Sequence, residues 1–196
     1  MGNAADLAGK AGAFLAVIGF AWPLVAGPAE SAGDCPEPGN WHRDSIAVAF
    51  ERERLLDGFP TPLRSTGRAL VDRDTVWWQT ETPIASTVRI DEAGVWQSVG
   101  AGELTPLARS AGGDAAIAEL MTMMLTGDLG AAAVEFGIEQ DRDPATGHWL
   151  VTLTPRTARL AAYLERIRFS GCEDLRRVTI EQPGGDVDRI VFSELD

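Results

Sequence analysis

Positive charge is scarce in this sequence. Against 29 Asp and Glu stand 17 Lys and Arg, leaving a formal net charge of -12. A phosphate backbone or an anionic membrane surface is repelled by such a chain, so nucleic acid is excluded as a partner. Cysteine and histidine are scarcer still, with two of each: Cys35 and Cys172, His42 and His148. Their scattered positions give no zinc-type ligand spacing. No G-x-S-x-G elbow is present to seat a nucleophile, and no G-x-x-x-x-G-K-[ST] loop to cradle phosphates. Gly100-Ala101-Gly102 lacks the third glycine of a dinucleotide fingerprint. His42-Arg43-Asp44 echoes a kinase catalytic loop, but Ala49 stands where the metal-binding Asn is needed, and no Gly-rich phosphate loop precedes it. Carboxylate pairs such as Asp72 and Asp74 read as a solvated turn on an acidic surface rather than as acid–base machinery. These absences point away from an enzyme and from any cofactor or metal.

An uninterrupted apolar run long enough to cross a bilayer, about 20 residues, is missing too. The nearest approach, Ala11 to Gly27, follows Lys10, is broken by Pro23 and ends in small residues. This is the layout of an export signal, with cleavage expected after Ala29. Residues 30–196 then form one domain, large enough to bury a real core. Lipidation at Cys35 is excluded, because Asp34 occupies the place where a small residue is required. In an oxidising compartment the default state of Cys35 and Cys172 is a disulfide with each other.

What is present is a chain rich in strand patterns. The stretch Leu63 to Pro83 predicts a hairpin turning at Asp72-Arg73-Asp74, with Val71, Thr75, Val76, Trp77 and Trp78 on its arms. A strand from Ile84 to Asp91 and another opening at Val95-Trp96-Gln97 extend it into a meander with one apolar face. Before it, Asp44 to Leu56 reads as a helix, with Ile46, Ala49, Phe50 and Leu56 as its apolar side. After it, Asp114 caps a helix whose stripe is Ile117, Leu120, Met121, Met124 and Leu125, ending at Gly127, and Leu129 to Val134 forms a second short one. Strands are predicted again at Phe136–Gln140 and His148–Thr154, then a short helical stretch within Arg156–Tyr163. The last strands are Glu165–Ser170, Leu175–Glu181 and Val187–Ser193. The fold class is α+β, mostly β: an incomplete, strongly curved antiparallel barrel whose helices lie across it. Met121, Met123 and Met124 with Trp77, Trp78 and Trp96 provide adaptable apolar surface, which suits acyl chains and equally suits an ordinary core.

In order along the chain, several loose motifs recur together. Phe50-x-Arg52-x-Arg54-x-Leu56-x-Gly58-Phe59 is followed by Pro62-Leu63-x-Ser65-x-Gly67. Trp78 comes next with Pro83 five residues on, then Ile90-Asp91-x-x-Gly94-Val95-Trp96, and later Trp149-x-x-x-Leu153-x-Pro155. The combination resembles the periplasmic outer-membrane lipoprotein carrier family, the LolA-like proteins, over nearly the whole of residues 30–196. The resemblance implies a hydrophobic cavity under a helical lid, used by a monomeric periplasmic carrier. That carrier takes acylated cargo, lipoprotein or other lipid-linked molecules, from an inner-membrane donor toward an outer-membrane acceptor. The expected cavity lining is Val76, Trp78, Ile84, Val88, Ile90, Trp96, Ile117, Met121 and Met124. Arg73 falls six residues after Gly67, where the family has a lid-contacting Arg, but Asp74 replaces the Pro that follows it there. Two rival readings stay open: a lipid-modifying enzyme of the cell envelope, and an envelope assembly subunit whose hollow is simply a packed core.

Overall fold

Eleven strands form a single antiparallel sheet in a computed structural model that describes residues 35–38, 45–73, 75–107, 123, 125 and 129–195. In chain order the strands are β1 (Ser45–Leu55), β2 (Leu63–Asp72), β3 (Thr75–Thr82), β4 (Ser86–Asp91), β5 (Gly94–Val99) and β6 (Thr105–Pro106). After them come β7 (Phe136–Arg142), β8 (Trp149–Pro155), β9 (Arg166–Gly171), β10 (Leu175–Glu181) and β11 (Val187–Glu194). Their spatial order is β6-β5-β4-β3-β2-β1-β11-β10-β9-β8-β7. Two meanders are thus joined edge to edge by the first and last long strands, and the sheet is open, with β6 and β7 at its margins. Helix among the described residues is limited to single turns at Leu129–Ala132 and Ala158–Ala161, with Met123 and Leu125 also helical.

The expected helix over Asp44–Leu56 is instead strand β1. Ile46, Ala49 and Phe50 fit a helical stripe, but Ile46, Val48 and Phe50 equally fit a period of two, and neighbours on both sides decide between them. β1 pairs with β2 from Ser45↔Asp72 to Arg54↔Leu63, and with β11 from Val48↔Glu194 to Leu55↔Val187. As a strand it fills two rows of backbone hydrogen-bonding groups; as a helix it would leave β2 and β11 with bare edges. The strand expected from Ile84 starts instead at Ser86, because Pro83 has no N–H for a ladder and Ile84 falls in the turn. The helix expected over Asp114–Leu125 lies outside the described residues except for Met123 and Leu125.

The pleat sends alternate residues to one face, and that face is the core. Its fully buried members include Phe50, Ala69, Val71, Val76, Trp149, Val151, Leu153, Ile167, Phe169, Val178, Ile180, Ile190 and Phe192, all in one hydrophobic cluster. Two glycines are required by the aromatics on this face. At Gly67 an added Cβ would run into the carbonyl oxygen of Gln79 and lie 2.8 Å from the Phe50 ring. At Gly171 it would meet the carbonyl oxygen of Asp174 and lie 2.7 Å from the Trp149 ring. In each case a cross-strand ring lies over bare backbone, as the registers Phe50↔Gly67 and Trp149↔Gly171 place it. On the other face, charges pair across strands, as Glu53 with Arg64 at 2.8 Å and Arg68 with Glu81 at 2.8 Å. Such exposed pairs contribute little each; register is set by the buried face and the turns.

In the β7–β8 turn, the backbone N–H of Ala145 donates to Asp143 Oδ1 at 2.9 Å. This bond first, and the Thr146 side chain next, hold the Asp143 carboxyl below its usual range. The turn's gain is therefore present above the unfolded carboxylate pKa and is lost as pH falls through the lower folded value.

Cys35 and Cys172 form the expected disulfide, 137 residues apart in sequence with Cα atoms 4.7 Å apart. It fastens the segment before β1 to the β9–β10 loop, and Arg142 Nη2 adds a tie to Glu37 Oε1 at 2.8 Å. Trp149 Nε1 donates to the Cys172 carbonyl at 2.6 Å, holding the bridge against the core. The double variant Cys35→Ser/Cys172→Ser is expected to lose about 2–4 kcal/mol, read as a lowered urea midpoint with a steeper slope, because the denatured chain without the cross-link is less compact. Thiol labelling of the unreduced, denatured protein should find no free cysteine; two free thiols would contradict the bridge.

Candidate functional site

The two halves of the core face differ in how well they are covered. On β8, β9 and β10 its residues are buried except at the strand end, Pro155; Val151, Leu153, Ile167 and Val178 are all at 0% exposure. On β3 and β4 only Val76 is buried, while Trp78, Thr80, Ser86, Val88 and Ile90 are half-buried. Register puts these in continuous rows: Val71, Val76, Ile90 and Val95 in one, Ala69, Trp78, Val88 and Gln97 in the next. At the centre Trp78 stacks on Phe50, ring centroids 4.1 Å apart and 23° between planes, and meets Phe192 edge-on at 6.1 Å. These aromatics join the half-buried rows to the fully buried half.

Of the residues expected to line a cavity, Val76, Trp78, Val88 and Ile90 are thus brought together on one face. Ile84 is not among them: it is 66% exposed in the β3–β4 turn. Trp96 is on the opposite face. It pairs with Arg89, which pairs with Trp77, and the Arg89 guanidinium lies 5.0 Å from the Trp96 ring and 5.6 Å from the Trp77 ring. This cation–π sandwich gives the outer face of the meander its own cover. Arg89 Nε is also 2.9 Å from Asp91 Oδ2, close enough for charge attraction but not aligned as a hydrogen bond. Ile117, Met121 and Met124 lie outside the described residues. Arg73 occupies the exposed β2–β3 turn with φ of 50°, the left-handed conformation. Its neighbour Asp74 is outside the described residues.

A cavity of about 200 Å³ opens where β1 runs past the end of β11, lined by Ile46, Val48, Leu125, Leu175, Phe192 and their neighbours. It is below the roughly 300–1,000 Å³ usual for small-molecule sites, so the half-buried rows of β3 and β4 are the better candidate surface. Among the described residues no three His, Cys, Asp or Glu side chains are grouped to hold a metal.

Sequence reasoning missed one polar feature of this face. Arg52 and Arg54 follow Phe50 at alternate positions of β1 and so point to the core side. Arg52 Nε donates to Asp188 Oδ1 at 2.8 Å, and Asp188 is only 2% exposed. The signal was available in the alternation Phe50, Arg52, Arg54, which a helical reading of the segment conceals.

No family model matches this chain, and no curated protein matches it. Among solved structures it is similar to the crystal structure of a DUF1329 family protein from Desulfovibrio piger. The two share 10% identity with a TM-score of 0.42, over 76% of this chain and 84% of that one. At that level nothing about the neighbour is carried over to this chain.

The buried ion pair generates a direct test. Arg52→Leu leaves the Asp188 carboxylate without its cation in the core and is expected to cost about 2–4 kcal/mol, the partial exposure of Arg52 keeping it below the fully buried limit. Arg52→Leu/Asp188→Leu should recover most of that loss in urea denaturation. Equal stability of the single variant and wild type would mean the pair contributes nothing.

Proposed function

We propose that this protein is an exported carrier that holds the acyl chains of lipoproteins or other lipid-linked cargo and moves them through the periplasm toward the outer membrane. The observation that carries the reading is the unequal cover of the core face. A sheet built only to be a core has no reason to leave Trp78, Val88 and Ile90 half-buried while Val151, Leu153 and Ile167 are completely enclosed. Apolar surface left partly open next to a rigid, fully packed half suits a ligand made of methylenes, each contributing about 0.8 kcal/mol when it is buried. The carrier performs no covalent chemistry; it binds, protects and releases. The sequence resemblance to the lipoprotein carrier family supports the same reading. So does the disulfide, which suits an oxidising compartment.

Two measurements test it. A fluorescent long-chain fatty-acid probe should bind the wild type, and Trp78→Ala or Val88→Asp should weaken binding about tenfold or more in variants whose circular dichroism is native. Trp96→Ala, on the outer face, should stay within about twofold. Unchanged binding in a folded Val88→Asp variant would leave the assembly-subunit reading, with the face as plain core. Separately, N-terminal sequencing of the periplasmic protein should begin at Glu30; a chain still starting at Met1 would mean an uncleaved anchor.

A further inference from the structure

The core side of β1, β3 and β4 changes character along its length, while β2, which lies between β1 and β3, passes from Gly67 through Ser65 to the exposed Leu63. On β1 it passes from Phe50 to Arg52 and Arg54, on β3 from Trp78 to Thr80, and on β4 from Val88 to Ser86. Antiparallel register puts these polar ends together, at the end of the sheet away from the β2–β3 turn. In the other half the core side of β8, β9 and β10 stays apolar and buried along the strands. The half-buried surface is therefore amphipathic along the strand direction. Its polar end carries two cations, in a chain whose net charge of -12 makes inward cations unexpected.

The two arginines differ in how they are satisfied. Arg52 has the buried Asp188 at 2.8 Å. Arg54 Nε is buried with no hydrogen-bond partner, and its ion-pair partner among the described residues, Asp186 Oδ2, lies 3.7 Å from Nη2, beyond hydrogen-bond reach. The other Asp186 oxygen already accepts the backbone N–H of Asp57 at 2.9 Å. A guanidinium offers a planar fork of N–H donors matched to a carboxylate or phosphate, and a buried donor with no acceptor is costly. Arg54 is about one-third exposed, so an acceptor can reach it from outside.

We propose that Arg54 receives the anionic head, carboxylate or phosphate, of an amphiphile whose acyl tail lies along the apolar end of the same face beside Trp78 and Val88. This rests on the carrier reading and narrows its cargo to anionic amphiphiles. The spacing suits it. Arg54 is six residues along β1 from Val48, which shares a row with Ala69 and Trp78, or about 20 Å at roughly 3.3 Å per residue. A long-chain acyl tail covers that distance. The head supplies the acceptor that Arg54 Nε lacks, and the tail covers the half-buried rows.

The experiment compares three probes of equal chain length on the full-length protein: a fluorescent fatty acid, its methyl ester and the corresponding monoalkyl phosphate. The acid, the phosphate or both should bind roughly tenfold tighter than the ester, and which of them does so identifies the head. Arg54→Gln should reduce that preference to within about twofold, and Arg54→Lys should keep part of it. Equal affinity of all three probes for wild type overturns the head assignment and leaves the carrier reading standing. A preference that survives intact in Arg54→Gln moves the head away from Arg54 and overturns the inference as well. No binding of any probe overturns both readings. The ester comparison needs no variant, so it decides even where Arg54→Gln fails to fold.

Discussion

Strand β1 is bonded along almost its whole length on both sides, to β2 and to β11, and the rest of the sheet is relayed outward from those two ladders. Without it the chain is two separate meanders, each with a long unpaired edge and half a hydrophobic face. Joining them creates the cluster in which Phe50 of β1, Trp78 of β3 and Phe192 of β11 touch. The same strand brings Arg52 to Asp188. A single central element thus sets the register of both halves, supplies the aromatic centre and positions the two inward cations.

The β1–β11 pairing is also the most non-local among the described strands: Val48 lies opposite Glu194. Closing so long a segment is entropically unfavourable and slow, because the contact rewards folding only after the loop is formed. The Cys35–Cys172 bridge changes the path. Measured through the sulfurs, Val48 is about 13 residues from Cys35 and Glu194 about 22 from Cys172. The effective loop falls from about 146 residues to about 35, which lowers the closure cost by about 1 kcal/mol on the logarithmic dependence. The disulfide therefore supports the very junction on which the sheet depends.

Much of this sheet was legible from alternation, and the exceptions have identifiable causes. The strands after residue 135 fall close to where they were expected, since β-branched runs punctuated by Gly, Pro and Asp allow few other structures; Leu175–Glu181 matches residue for residue. β1 was misread because Ala47, Ala49 and the Glu-Arg-Glu-Arg run have good helix propensity, and nothing local reveals strands waiting on either side. Trp96 was put on the wrong face for a different reason. Strand and residue type were right, but the face is set by which residue it opposes, and that is fixed by the Glu92-Ala93 turn and the Arg89↔Trp96 register. Of the candidate lining, Val76, Trp78, Val88 and Ile90 share a face because they alternate within two strands. Ile84 was lost to the proline before it.

The contrast between the two halves bears on how such a sheet can both persist and yield. Full enclosure of β8–β10 gives that half no slack: removing or adding a methylene there disturbs close packing. On β3 and β4, half-buried residues lose less by being uncovered, so changes of cover on that side are small in free energy compared with unfolding. Close packing and partial cover thus reside in different strands of one sheet, divided at the Phe50–Trp78 stack. The outer face of the partly covered half is meanwhile held by Arg89 between Trp77 and Trp96. The sandwich and the aromatic stack meet only at β3, on its opposite faces, so the packing that holds the outer face there does not depend on what covers the core face.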